Sequence, residues 1–237
     1  MKEKINFKEF EKLNNELSIK ILEARQIKGN KFYLEYVDGS KYTGETLLYK
    51  KHGKGTYITS KNDEFEGDWE NDKMEGLGRC KNKDMIYEGE WSEGLQNGRG
   101  KETWKDGSSY EGSFCKGLKH GGRGLYQWND GTKYDGEWSK GAFHGYGEFY
   151  SKNGDTYKGF WLEGKRHGKG VLLYNNGDIY EGDFEENVIQ GNGVLLMANN
   201  VKYEGQFKNK LMHGKGVMTL ENGDKRKGKW ENGKFLN

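Results

Sequence analysis

From Tyr42 onward the chain alternates apolar and polar residues at period two, interrupted at short intervals by glycine. Tyr134-Asp135-Gly136-Glu137-Trp138 places two rings on one side of an extended segment and two acids on the other, the pattern of a half-buried strand. Gly145-Tyr146-Gly147-Glu148-Phe149 reads as its partner, with glycine, glycine and phenylalanine sharing one face. A glycine between two rings leaves bare backbone against which a neighbouring ring can lie. Asp106-Gly107, Asp130-Gly131, Asn153-Gly154, Asn176-Gly177 and Asn222-Gly223 are strong hairpin signals between such segments. No stretch beyond residue 30 has helical periodicity, so the prediction is an all-β, meandering antiparallel sheet. Ahead of it, Phe10, Leu13, Leu17, Ile21 and Ala24 recur at three and four and predict a short N-terminal α-helix within residues 1–28. Its two readings are a cap on the first hairpin and a docking segment for a partner. Phe32, Leu34 and Tyr36 alternate before Asp38-Gly39 and read as the second strand of a truncated first unit.

The strand pair recurs. Aromatic residues followed by x-Gly stand at Tyr42, Phe65, Tyr87, Tyr110, Tyr134, Tyr157, Tyr180 and Tyr203, 22 to 24 residues apart. Numbered from that ring, glycine fills position +2 in every unit, and an aromatic fills +4 in all but the first, where Thr46 stands. A Gly-x-Gly closes each phrase, and copies in register at this period mark a repeat architecture. The phrase Tyr-x-Gly-x-Trp-x-x-Gly-x-x-His-Gly-x-Gly resembles the MORN repeat. The match is best over 87–170 and weakest over 42–86, where Tyr49 and Asp72 replace the central glycine and Glu75 replaces the histidine. The resemblance implies one hairpin per repeat in an elongated, twisted single antiparallel sheet. Residues 29–237 then divide into a partial first strand (29–41), eight repeats (42–225) and a half repeat (226–237).

Composition narrows the class further. Glycine makes up 38 of the 237 residues, proline is absent and aromatics reach 14%. Low apolar content accompanies disorder only where net charge is large, and here 39 basic residues face 37 acidic ones. The near balance also leaves no electrostatic footprint for nucleic acid. No apolar run is long enough to span a bilayer as a helix, and Met1-Lys2-Glu3-Lys4 leads into no apolar leader, so no secretory signal is expected. Two cysteines, Cys80 and Cys115, make no disulfide framework and favour an intracellular setting. Positions +1 and +3 are mostly acidic and +12 is basic at Lys54, Arg99, Arg123, Lys169 and Lys215, which predicts a salt-bridged, solvated face. On the last strand Arg226 takes an aromatic slot beside Lys227 and Lys229. Such charge protects an exposed edge from pairing, or forms a basic docking site.

Chemistry is scarce. All five histidines (His52, His120, His144, His167 and His213) occupy one repeat slot. Equivalent positions lie about 9–10 Å apart by strand spacing, too far for a shared tetrahedral zinc site, so a loop hydrogen bond for each is expected. Cys115 has only the repeat histidine His120 near it in sequence, and the carboxylates are repeated face residues rather than a singular pair. No enzyme, no metal and no cofactor is expected. What remains is the ring-lined, glycine-floored face. Its candidate docking residues are Trp91, Phe114, Trp138, Phe149, Trp161, Tyr174, Phe184 and Phe207; the alternative is that packing between repeats consumes these rings. Chains that resemble this one are often ciliary or cytoskeletal scaffolds. The resemblance therefore implies partner proteins of an axonemal or cytoskeletal assembly. Attachment to a membrane through phosphoinositides, and an adaptor role for one partner, are the alternatives. The partner's identity and the oligomeric state are not written in the residues.

Overall fold

The computed structural model describes residues 20–236, and every regular element among them is a β-strand. The chain divides into two compact units, Met1–Leu118 and Lys119–Asn237. In the first, strands run from Ile21–Lys28 to Ser109–Cys115, each antiparallel to the next in sequence. In the second, they run from Gly121–Gln127 to Lys234–Phe235 with the same consecutive pairing. Each repeat contributes one strand that begins near its tyrosine and one that carries its Gly-x-Gly.

The register explains the glycines. Gly136 pairs with Gly147, which pairs on its other side with Gly159, and the row continues through Gly170 to Gly228 with one glycine per strand. The tyrosine of each repeat lies over this row. A Cβ on Gly147 would sit 2.5 Å from the Tyr134 hydroxyl oxygen and 2.7 Å from its ring carbons. The other glycine of the motif has a different cause. Gly145 adopts φ +55°, beside the register shift that follows Gly136. It sits at a β-bulge that bends the strand, a place where glycine is favoured for its backbone freedom.

Seven tyrosines (Tyr42, Tyr87, Tyr110, Tyr134, Tyr157, Tyr180 and Tyr203) are the largest wholly buried side chains among the described residues. Each hydroxyl donates to the carbonyl three residues on in its own strand, as Tyr134 does to Glu137 at 2.8 Å and Tyr157 to Phe160 at 2.9 Å. A buried phenol needs such a partner. The eighth unit member, Phe65, has no hydroxyl; there Met74 is buried and its Cε fills the space above Gly67 and Gly78.

The N-terminal expectation needs a correction. Phe10, Leu13 and Leu17 lie outside the described residues, but Ile21 and Ala24, the last two positions of the expected helical stripe, are in strand Ile21–Lys28. That strand pairs antiparallel with Lys31–Tyr36 around Gly29-Asn30. Gly29 at φ +57° makes the turn, and the backbone hydrogen bonds of Lys31–Tyr36 draw 21–28 into the sheet. Phe32, Leu34 and Tyr36 are therefore on the second strand of a full hairpin, with Leu34 and Tyr36 buried.

Candidate functional site

Packing consumes most of the rings proposed for docking. Trp91, Phe114, Trp138, Trp161, Phe184 and Phe207 are all buried. Each of these six rings meets the tyrosine of its own repeat edge-on, and Phe114, Trp161, Phe184 and Phe207 also meet the tyrosine of the preceding repeat, whereas Trp91 meets Phe65 there. Tyr157, for example, touches Trp161 at 5.1 Å and Phe184 at 5.0 Å between ring centroids. Such T-shaped pairs contribute about 0.5–1.5 kcal/mol each beyond their burial. Several indoles also reach back to the preceding repeat: Trp138 Nε1 donates to the Gly124 carbonyl at 3.0 Å and Trp161 Nε1 to that of Gly147 at 3.2 Å. Of the eight candidates only Phe149 and Tyr174 keep partial exposure.

What those two line is a cleft of about 550 Å³ on the aromatic face of the second unit, together with Phe143, Arg166, Ile189 and Lys210. Its walls are set by the residue two positions past the tight turn, a position with no fixed chemistry that the repeat phrase does not flag. Phe143 fills it in one repeat by stacking on Tyr134 at 3.7 Å, and Ile189 is buried in another. In the repeat between them it is Arg166. The guanidinium carbon lies 5.5 Å above the Tyr157 ring and 5.6 Å from that of Phe184, within cation–π range. Burial lowers its pKa. Its Nη2 donates to the Asn187 carbonyl at 3.2 Å, while its backbone N–H donates to Asn187 Oδ1 at 2.9 Å. The acid lining the cleft, Asp155, already accepts from Asn175 N at 2.8 Å and from Asn153 Nδ2 at 3.0 Å.

The first unit carries a related constellation that differs in the cation and in the residue opposite it. Lys51 stands at the position equivalent to Arg166, among Tyr36, Tyr57 and Trp69. Its backbone N–H donates to Asp72 Oδ1 at 2.8 Å, and its Nζ lies 3.4 Å from the same carboxylate oxygen. Burial lowers the Lys51 pKa, and the Asp72 charge opposes that shift. Asp72 and Asn187 occupy the same repeat position. Lys51, buried, has its carboxylate within the chain; Arg166, half-buried, faces an amide.

The opposite face carries three of the expected pairs, each joining a repeat to the next: Lys54 with Asp68 at 2.7 Å, Arg123 with Asp135, and Lys169 with Asp183 at 2.6 Å; Arg99 instead faces Ser113. Between repeats five and six the cross-strand pair is instead Tyr146 and Phe160, both exposed, with ring centroids 5.8 Å apart. The charge pattern gave no sign of this apolar interruption. At the chain's end Arg226, Lys227 and Lys229 are exposed. Lys215 sits directly opposite Lys229, and these two with Lys227 surround Gly216 and Gly228. Of that strand, Trp230 and Glu231 pair with the two-residue strand Lys234–Phe235, and the Lys229 carbonyl accepts from Leu236 N at 2.9 Å.

The histidine slot is partly as expected. His120 Nδ1 accepts from Lys140 N at 3.3 Å, and Glu75 and Gln190 make the equivalent bond to the next repeat's turn at 2.9 and 2.8 Å. Nδ1 of His52 and of His213 is buried without a hydrogen-bond partner. Among the described residues no group of histidine, cysteine and acidic side chains is arranged to hold a metal ion.

These features define a β-hairpin repeat protein whose repeats are locked by a tyrosine over a glycine row. The MORN repeat family matches over residues 42–64, 65–84, 87–109, 110–133, 134–156, 157–179, 180–201 and 203–225, and the chain belongs to that family. It is similar to MORN repeat-containing protein 3 of Xenopus laevis, 35% identical over 27% of this chain and 30% of that one. It is also similar to Alsin of Rattus norvegicus, 32% identical over 34% of this chain and 5% of that one. The chain thus spans less than a third of either relative's length. Among solved structures, the TCP10 domain of Danio rerio CPAP in complex with a peptide of Danio rerio STIL shares the fold. Its TM-score is 0.51 at 7% identity, covering 87% of this chain and 92% of that one.

Proposed function

We propose that this chain is a non-catalytic interaction scaffold that takes a partner protein's peptide on the aromatic face of its second unit. The observation that carries this is the cleft between Phe143 and Lys210, a recess lined by rings together with Asp155, Arg166 and Lys210, on a face where the other candidate docking rings are buried. Its volume lies within the range of about 300–1,000 Å³ usual for binding sites. A peptide bound to a domain of similar fold, that of CPAP, supports a peptide as the occupant. For the cellular setting, the MORN repeats over most of the chain support the reading we propose: an assembly of the cytoskeleton or the ciliary axoneme. The test is the tagged chain in flagellated cells. Retention in the detergent-extracted axoneme or cytoskeleton is expected, and a diffuse, fully extracted protein would remove that setting. Recovery with a single stoichiometric protein outside any such assembly would make it an adaptor.

One observation favours a second reading, attachment to an anionic membrane. Like charges directly across a strand pair are destabilising, and Lys215 faces Lys229 with Lys227 alongside. A phosphoinositide headgroup would relieve that repulsion. Co-sedimentation with phosphatidylcholine vesicles only when phosphoinositide is included, lost in Lys227→Glu/Lys229→Glu, is the outcome this reading requires.

A further inference from the structure

The two units answer the same electrostatic problem differently. A cation set among buried rings is costly unless a carboxylate or equivalent group meets it. Lys51 meets Asp72. At Arg166 the equivalent residue is Asn187, whose side-chain oxygen already accepts the backbone N–H. No ion pair to Arg166 is present among the described residues, and Asp155 is held in its own loop by Asn153 and Asn175. Lys210 lines the same cleft. Two cations thus face one engaged acid across an apolar floor.

We infer that the Arg166 guanidinium reads a carboxylate from the partner: the peptide that docks in this cleft carries an aspartate or glutamate next to apolar residues, and that acid takes the place Asp72 holds beside Lys51 in the first unit. This rests on the docking reading above and adds the partner's chemistry to it. A guanidinium offers a planar fork that matches a carboxylate. The flanking Phe149, Tyr174 and Ile189 then take the apolar neighbours. A peptide is favoured over a lipid surface because Arg166 lies recessed among rings rather than on an exposed basic patch.

The test starts with a phage-displayed random heptapeptide library panned on the immobilised full chain. The strongest synthetic heptapeptide is then titrated into the wild type and two variants. Arg166→Met keeps the packing and removes the charge. Asn187→Asp supplies the missing carboxylate from within, as Asp72 does. Enriched peptides should carry Asp or Glu beside apolar residues, and affinity should fall about tenfold or more in both variants. Asn187→Asp should also raise Tm, which keeps the test decisive should Arg166→Met fold poorly. Peptides that enrich without an acid, or whose affinity neither variant changes, would overturn the carboxylate assignment and leave docking standing. No enrichment at all would remove the docking reading itself. Sedimentation with phosphatidylserine vesicles that disappears in Arg166→Met would assign the guanidinium to lipid and likewise overturn the inference.

Discussion

Tyr157 is fixed by its hydroxyl bond to the Phe160 carbonyl and by the glycines beneath its ring, and these two supports differ in strength. Tyr157→Phe removes one hydrogen bond and leaves a carbonyl short of a partner, so a loss of about 1–2 kcal/mol is expected from urea unfolding. Gly170→Ala is worse. Its Cβ would fall 2.5 Å from the Tyr157 hydroxyl oxygen and ring, and neither paired backbone nor tethered ring can retreat, so about 3 kcal/mol or more should be lost. The same burial gives the chain an alkaline limit. Desolvation raises the pKa of the seven repeat tyrosines, Tyr110 to about 12 from an ordinary 10.0, and of buried Tyr36 as well. A group with a raised folded pKa contributes stability that is whole below its unfolded pKa and is lost as pH climbs through the folded one. Lys51 and Arg166, with lowered pKa values, work in the opposite sense, but they are two groups against eight tyrosines. Stability should therefore fall steeply above about pH 10, with tyrosinate absorbance appearing in step with unfolding. Ionisation of all 15 tyrosines on a still-folded chain would contradict this.

At the level of elements, the strands were legible because period two survives in every repeat, and the glycine row was legible because both of its members recur. The turns were less so. Asn153-Gly154 does turn the chain, within a loop closed by Ser151 N to Asp155 O at 2.9 Å. The tighter two-residue turns lie elsewhere, at Lys140-Gly141 and at Leu48-Tyr49, where both residues have positive φ. Leucine and tyrosine are poor residues for that conformation, so the spelling at 48–49 concealed it. Leu48, at φ +51°, is 60% exposed, whereas Tyr49 packs edge-on against Phe32 at 5.5 Å. Leu48→Asn should therefore stabilise the first unit by about 0.5–1 kcal/mol, seen as a higher urea midpoint with an unchanged slope. The docking cleft was half legible for a related reason. Rings could be assigned to a face from alternation, but which of them stay open is decided by the variable residue after the turn. Its chemistry runs from Lys51 through Met74 and Phe143 to Arg166 and obeys no pattern. The N-terminal stripe misled at Ile21 and Ala24 because a bulge between Ile21 and Glu23 brings both onto one strand face, opposite Tyr36 and Leu34, so their spacing of three mimics a helix although the partner strand Lys31–Tyr36 comes later in the chain.

Across the whole molecule, the described strands of each unit pair with their neighbours in sequence, and the aromatic contacts link a repeat to the ones beside it. Stability in such an array is close to a sum of repeat terms and nearest-neighbour terms. A lesion should then stay local. Hydrogen exchange followed by mass spectrometry on Gly170→Ala tests this directly. Tyr157 loses its seat over Gly159 and Gly170, and with it the edge-on contacts to Trp161 and Phe184. The residues that depend on those rings lie within about one repeat on either side. Protection should fall over roughly residues 134–205 and hold at wild-type values over 41–104, because opening a neighbour costs only the interface it shares. Uniform loss across the chain would mean the repeats open as one cooperative body. The same locality bears on function: the cleft at Arg166 occupies the middle of the region expected to loosen. Gly170→Ala should therefore weaken peptide binding at denaturant concentrations where the strands of the first unit still resist exchange.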